Sequence, residues 1–179
     1  VSRVRIVGGQ WRSRLIEVAH VTGLRPTPDR VRETLFNWLG QELDGLDCLD
    51  LFAGSGILGF EAASRGARSV TLVEQDPRAF AALRQAQKTL QAAQVELLRG
   101  DAVKFLQSTS RRFDVVFLDP PYKQGWLERI EPLLDRVLQP DGWLYAEAET
   151  PLAGLAGWST VKQGRAGQVH FHLMRGNPV

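Results

Sequence analysis

Leu49-Asp50-Leu51-Phe52-Ala53-Gly54-Ser55-Gly56-Ile57-Leu58-Gly59 is the stretch whose reading decides the fold. A strand-like apolar run passes straight into glycines spaced G-x-G-x-x-G, and a helix-like run follows. Glycine has no Cβ, so a loop of this kind between strand and helix lets backbone approach a ligand closely. Glu74 follows about 20 residues on, at the end of the next strand-like run, where an acid suits ribose hydroxyls. Taken alone, the pattern serves a nicotinamide dehydrogenase as well as a methyltransferase.

Working outward, strand-like and helix-like runs alternate. Strands are expected at 46–52, 69–74, 95–98, 114–118 and 142–147, and helices at 57–65, 77–92, 101–107 and 126–138. That order builds a mostly parallel sheet with right-handed crossovers and helices on both faces. Two further strand candidates, 158–162 and 168–174, flank the short turn Gly164-Arg165-Ala166-Gly167, so the sheet is expected to reach seven strands and end in an antiparallel hairpin.

Three features favour a methyltransferase over a dehydrogenase. Asp50 lies beside the glycine loop, where a carboxylate suits an ammonium group and opposes a pyrophosphate. Gly100-Asp101 follows the third strand, and Asp119-Pro120-Pro121-Tyr122 follows the fourth. Helix capping is a competing role for Asp50 and Asp101. The strand Phe113–Leu118 delivers Asp119 to the carboxyl end of the sheet, beside the crevice that the glycine loop borders. Two consecutive prolines remove two backbone donors and stiffen the turn, which leaves carbonyls facing outward as acceptors. An amino group entering there can give one hydrogen to Asp119 and one to the Pro120 carbonyl, and Tyr122 offers a flat face for an extruded base. A carboxylate of ordinary acidity is too weak to deprotonate such an amine in advance, so positioning is expected to dominate.

Charge is unevenly spread. Residues 1–32 hold Arg3, Arg5, Arg12, Arg14, Arg25, Arg30 and Arg32 against Glu17 and Asp29, a local charge of +5 in a chain of net +2. A basic segment of this kind favours a polyanionic partner, although a solvated basic face has the same composition. Alternation at 3–7 and 15–18 around Gly8-Gly9 reads as a hairpin arm. After the turn at 25–28, Val31, Leu35, Trp38 and Leu39 form the stripe of a helix that ends at Gly40. One domain over 1–179 is expected, with 1–23 a basic arm and 24–40 a cofactor-covering segment and helix. The lone Cys48 excludes an internal disulfide, and no apolar run approaches the roughly 20 residues that span a bilayer. A cytoplasmic monomer without a metal is expected.

The segments Arg5–Arg12, Leu24-Arg25-Pro26-Thr27, Asp29–Leu39, Leu49–Gly56 and Asp119–Tyr122 together resemble the RsmD family of 16S rRNA (guanine(966)-N2)-methyltransferases, over nearly the whole chain. The glycine loop and the proline turn occur in many amino-methyltransferases, whereas the arm and 24–39 are more specific. The resemblance implies a class I, Rossmann-like methyltransferase fold and S-adenosylmethionine as donor. It also implies 16S rRNA as substrate, within the small ribosomal subunit or its assembly intermediates. Carried over by position, Asp50, Ala53, Gly54, Ser55 and Gly56 line the methionine part of the cofactor. Glu74 holds its ribose, Asp101 and Ala102 its adenine, and Phe52 and Gln75 are further contacts. Arg25, Pro26 and Thr27 close over it, Asp119, Pro120, Pro121 and Tyr122 clamp the target base, and Arg3, Arg5, Arg12 and Arg14 meet RNA.

His20, His170 and His172 read as ordinary surface or core residues, Trp38 and Trp143 as core, and Cys48 as an inert buried hydrophobe. Trp11, in the basic arm, is a candidate for stacking on RNA. Other readings remain open on the residues alone: a DNA adenine-N6 or protein glutamine methyltransferase, a nicotinamide-dependent oxidoreductase, or a non-catalytic RNA-binding module.

Overall fold

A computed structural model describes residues 2–176; Val1 and 177–179, the end of a tail to which the sequence gives no role, lie outside the described residues. The main sheet comprises β3 (Asp47–Asp50), β4 (Ser69–Glu74), β5 (Val95–Arg99), β6 (Phe113–Leu118), β7 (Leu138–Ala148), β8 (Gly154–Leu155), β9 (Trp158–Ala166) and β10 (Val169–Gly176). Their spatial order is β5-β4-β3-β6-β7-β10-β9-β8. The first five are mutually parallel, and β10, β9 and β8 continue the sheet antiparallel. The expected seven strands are present, and the two-residue β8 adds an eighth.

From β3 the chain winds outward through β4 to β5, then returns to the other side of β3 with β6 and β7. The order therefore reverses between β3 and β6, and a crevice opens at their carboxyl ends. Doubly wound sheets bind ligands at such a reversal.

Alternating strand residues feed two cores. Cys48, Val115, Phe117 and Tyr145 face one, with α1 (Asp29–Leu39), α2 (Ile57–Ser64) and α3 (Pro77–Leu90) packed over them. Leu49, Val116, Leu118 and Ala146 face the other, under α4 (Ala102–Ser108) and α5 (Trp126–Ile130). Period-two side-chain direction in a strand covered on both faces produces this split. The helix expected over 126–138 stops at Ile130 and continues as a 3-10 turn, Glu131–Arg136. Pro132 has no N–H to donate to Glu128 and its ring crowds that carbonyl, so the α geometry cannot pass it.

The N-terminal hairpin pairs β1 (Ser2–Arg5) with β2 (Leu15–Val18), Arg3 opposite Glu17 and Arg5 opposite Leu15. Its outer face holds Arg3, Arg5, Leu15 and Glu17, while Ile16 and Val18 are buried. Arg12 and Arg14 are exposed in the connection. Trp11 is not available to stack on RNA: only 4% of it is exposed, and it sits in the core against α2. A large apolar ring one residue from an arginine is here the anchor of the arm.

Arg32 also departs from the basic-face reading. It is fully buried and donates to Glu61 at 2.8 Å, to the Arg5 carbonyl at 2.7 Å and to the Thr27 carbonyl at 3.0 Å, with Asp29 as a further partner. Glu61, at the centre of the wholly buried α2, also accepts from the backbone of Val7 and Gly8, each at 2.9 Å, and pairs with Arg65 at 3.1 Å. A buried charge is tolerated only when it is paired and hydrogen-bonded. This network ties the arm, the 25–27 segment and α1 to the helix that follows the glycine loop. Among the described residues, no helix is long and apolar enough to cross a membrane.

Candidate active site

Backbone at the start of α2 needs glycine. Gly54 and Gly56 have φ of 56° and 79°, and a Cβ on Gly56 would lie 2.4 Å from Leu83. Such left-handed conformations are unstrained only for glycine. Gly59 serves a different end, since a Cβ there would lie 2.2 Å from Leu72; its absence lets α2 press against β4. The Ser55 hydroxyl accepts from Ile57 N–H at 3.2 Å and so shapes the first turn.

Glu74 leaves β4 beside this loop and accepts from Gly54 N–H at 2.8 Å and Asp76 N–H at 2.9 Å. Its carboxylate is thus held in one orientation at the crevice edge, with Gln75 exposed next to it. The segment 24–27 crosses above, with the Leu24 side chain 3.8 Å from the Cβ position of Gly54. Thr27 is buried, while Arg25 is exposed. Phe52 packs edge-on to Trp126, ring centroids 5.2 Å apart, and walls the crevice.

Asp101 takes up the capping role weighed for it: Oδ1 accepts from Lys104 N–H at 3.0 Å at the start of α4. It lies after β5, two strands from the loop, with Ala102 buried behind it. Asp50 caps nothing. It is buried, its Oδ1 has no hydrogen-bond partner, and burial pushes its carboxyl up to about 7 against the Phe52 backbone N–H, with the charges of Glu74 and Glu147 adding to the rise. A buried acceptor with nothing to accept from marks the place of a missing donor. An α-ammonium group held by the glycine loop would supply such a donor, and a pyrophosphate would be repelled by the carboxylate.

Asp119 follows β6 on the same edge, with Pro120 buried and Pro121 and Tyr122 exposed. The register Phe117↔Tyr145 and Leu118↔Ala146 brings Glu147, on β7, alongside Asp119. Only 5% of Glu147 is exposed, and its Oε2 accepts from the Thr27 hydroxyl at 3.3 Å. Asp119 is raised well above the ordinary carboxylate range by burial, then by the charges of Glu147 and Asp50 and a hydrogen bond with Glu147. Glu147 is raised as well, by burial, while its bonds with Tyr145, Thr27 and Asp119 oppose the rise. Two such carboxyls cannot both ionise, so the pair shares one proton. The ordinary acidity expected of Asp119 is therefore corrected, first by burial and then by a neighbour some thirty positions away in sequence. Beneath them the Tyr145 phenol is fully buried next to Glu147. The Tyr122 hydroxyl is pushed up to about 12 by desolvation and the nearby Asp119, Glu147 and Glu149.

Glu147 is the site residue that sequence reasoning missed. Its signal was an acid ending the strand that pairs with β6, readable once the two strands are neighbours. Cys48 is fully buried and its thiol is pushed up by burial, as an inert core position requires. His172 is buried between the Ala146 carbonyl at 3.0 Å and Leu152 N–H at 2.9 Å, an ordinary core histidine. Trp38 is half-buried and stacks on Phe171 at 5.4 Å.

Residues 4–175 match the family described as Conserved hypothetical protein 95. The chain is 42% identical to ribosomal RNA small subunit methyltransferase D of Escherichia coli over 181 aligned residues, covering 96% of this chain and 89% of that protein. The chain belongs to the RsmD family. Among solved structures, a putative methyltransferase of Escherichia coli superposes with a TM-score of 0.88 at 41% identity, covering 99% of this chain and 100% of that one. A putative methylase of Haemophilus influenzae superposes at 0.84 with 37% identity and the same coverage. Membership of the RsmD family makes the chain an S-adenosylmethionine-dependent methyltransferase with the class I fold and sets the nicotinamide reading aside. The orphaned Asp50 oxygen and the open glycine loop are what that cofactor requires.

Proposed function

We propose that the chain methylates the exocyclic N2 amine of a guanine, guanine-966 by family resemblance, in 16S rRNA of the small ribosomal subunit or its assembly intermediates. It would do so as a cytoplasmic monomer built as one domain. One observation carries the reading: Asp119 and the glycine loop end adjacent strands at the same reversal of the sheet, so amine holder and cofactor cradle share one crevice. The name of the Escherichia coli relative supports rRNA as the substrate class.

Bound there, S-adenosylmethionine supplies an electrophilic methyl group on a sulfonium. Asp50 pairs with its ammonium, and Phe52, Ala53, Gly54, Ser55 and Gly56 line its methionine part. Glu74 and Gln75 take the ribose, Asp101 and Ala102 the adenine, and Arg25, Pro26 and Thr27 cover it. The Pro120 carbonyl and Asp119 accept the two amine hydrogens, Pro121 stiffens the turn, and Tyr122 stacks on the extruded base. Holding both hydrogens turns the nitrogen lone pair away from the ring toward the methyl group, a gain of orientation and electrostatics. The carboxyl pair of Asp119 and Glu147 carries one negative charge and takes the proton that the methylated amine releases. Arg3, Arg5, Arg12 and Arg14 meet the RNA backbone.

The test offers small-subunit particles, duplex DNA and a glutamine-containing protein in parallel with labelled cofactor. Label is expected in rRNA, mapped by mass to one guanine N2, and lost in Asp119→Ala with cofactor binding retained. Label confined to DNA or protein, or full activity in Asp119→Ala, overturns the proposal.

A further inference from the structure

We propose that Glu147 reads the ring N1–H of the target base and so selects guanine over any base whose amino group has no ring N–H beside it. The inference rests on the guanine-N2 reading and names its specificity device.

Guanine's amino group adjoins a ring N–H, so its edge presents donors side by side. The amino groups of adenine and cytosine adjoin a ring nitrogen that is an acceptor, and a glutamine amide adjoins its own carbonyl. A site for guanine therefore needs one more acceptor beside the amine holder, and a site for the others needs a donor there. The neighbour on the page is Glu147. It lies in β7 one step beyond Ala146, and Asp119 follows β6 one step beyond Leu118, the partner of Ala146. Strand residues two apart share a face, so Glu147 lies on the same face as Tyr145, and Asp119 on that of Phe117. Those two rings touch at 6.2 Å, which sets the carboxyls above them side by side.

Glu147 is also built to accept. The Thr27 hydroxyl donates to one of its oxygens at 3.3 Å, and Arg32 fixes Thr27 through its carbonyl at 3.0 Å. Arg65 and Arg32, the nearby buried cations, are committed to Glu61. The negative charge of the Asp119–Glu147 pair is thus without an ion-pair partner among the described residues, and Glu147 is nearly shut off from solvent. Such a charge is costly unless the ligand satisfies it, and an N–H donor does so whereas a ring lone pair is repelled. A site that hydrogen-bonds a substrate N–H rejects analogues lacking it far more strongly than an apolar pocket rejects a missing methylene.

The probe is 2-aminopurine, which keeps the 2-amino group and has an unprotonated N1. Synthetic oligonucleotides carrying guanine or 2-aminopurine at the target position are ligated into small-subunit rRNA and assembled into particles. The wild-type chain is expected to prefer guanine by at least about 100-fold in kcat/KM. In Glu147→Gln, whose amide offers either a donor or an acceptor, the preference is expected to fall below about tenfold, through loss on guanine and gain on 2-aminopurine. A purely structural role for Glu147 would depress both substrates equally and leave the ratio unchanged, which overturns the inference. The wild-type comparison needs no variant: equal rates on the two bases also overturn it. Absence of methylation on the guanine particle overturns the guanine-N2 reading itself, a separate outcome.

Discussion

Acidification from pH 7 to pH 5 is expected to weaken cofactor binding about 50-fold, and Asp50 is the reason. Its carboxyl is wholly buried, one oxygen lacks a partner, and burial holds its pKa at about 7 in the ligand-free chain. The cofactor's α-ammonium, with an ordinary pKa near 8, stays charged below pH 7. The ionised fraction of Asp50 then falls from about one half at pH 7 to about one in a hundred at pH 5, on the order of 2 kcal/mol of binding. Stability runs the other way. Because the folded pKa lies above the ordinary carboxylate value of 3.8, the contribution of this group is fully present below pH 4 and lost as pH rises through about 7. The full loss is on the order of 4 kcal/mol, an upper bound set by burial. Asp50→Asn removes the titrating group without changing shape. Calorimetry should show binding weakened at pH 7 and nearly flat between pH 5 and 7. Thermal melts at pH 8 should show the ligand-free variant more stable than the wild type. Wild-type affinity in Asp50→Asn, or an unchanged pH profile, refutes the pairing of Asp50 with the ammonium.

Arg32→Met removes a buried guanidinium with its four partners and leaves Glu61 with Arg65 as its one ion-pair partner among the described residues, which should cost about 3–5 kcal/mol. At roughly 2–4 °C per kcal/mol for a chain of this size, Tm should drop by about 6–20 °C, whereas Arg30→Met, on the exposed side of α1, should stay within about 2 °C. Similar melting of the two variants would count against the buried network. Replacing Arg3, Arg5, Arg12 and Arg14 together by Gln should leave Tm nearly unchanged and lower the slope of log K against log salt for rRNA binding by about 3. An unchanged slope would move the RNA contact off the arm.

The parallel sheet, its reversed hairpin and the two crevice motifs were legible because their causes are local. Apolar runs of strand length, a glycine loop and a double proline constrain the backbone wherever they occur. The stop at Ile130 was equally local, since Pro132 forbids the helix, but an apolar stripe running on to Leu138 hid it.

What the sequence could not weigh was which charges are paired and which are bare. Arg32 counts as one more positive charge in a basic segment until Glu61, nearly thirty residues on, closes over it in the core. Trp11 reads as an exposed ring among arginines until the arm folds back on α2. Asp119 has ordinary acidity until the fold buries it and β7 aligns Glu147 beside it. Motif and spacing, carried in covalent order, determined the class of reaction and where on the sheet it occurs. The protonation and pairing of the acids there were decided only by tertiary structure, because burial and the distance between side chains set both.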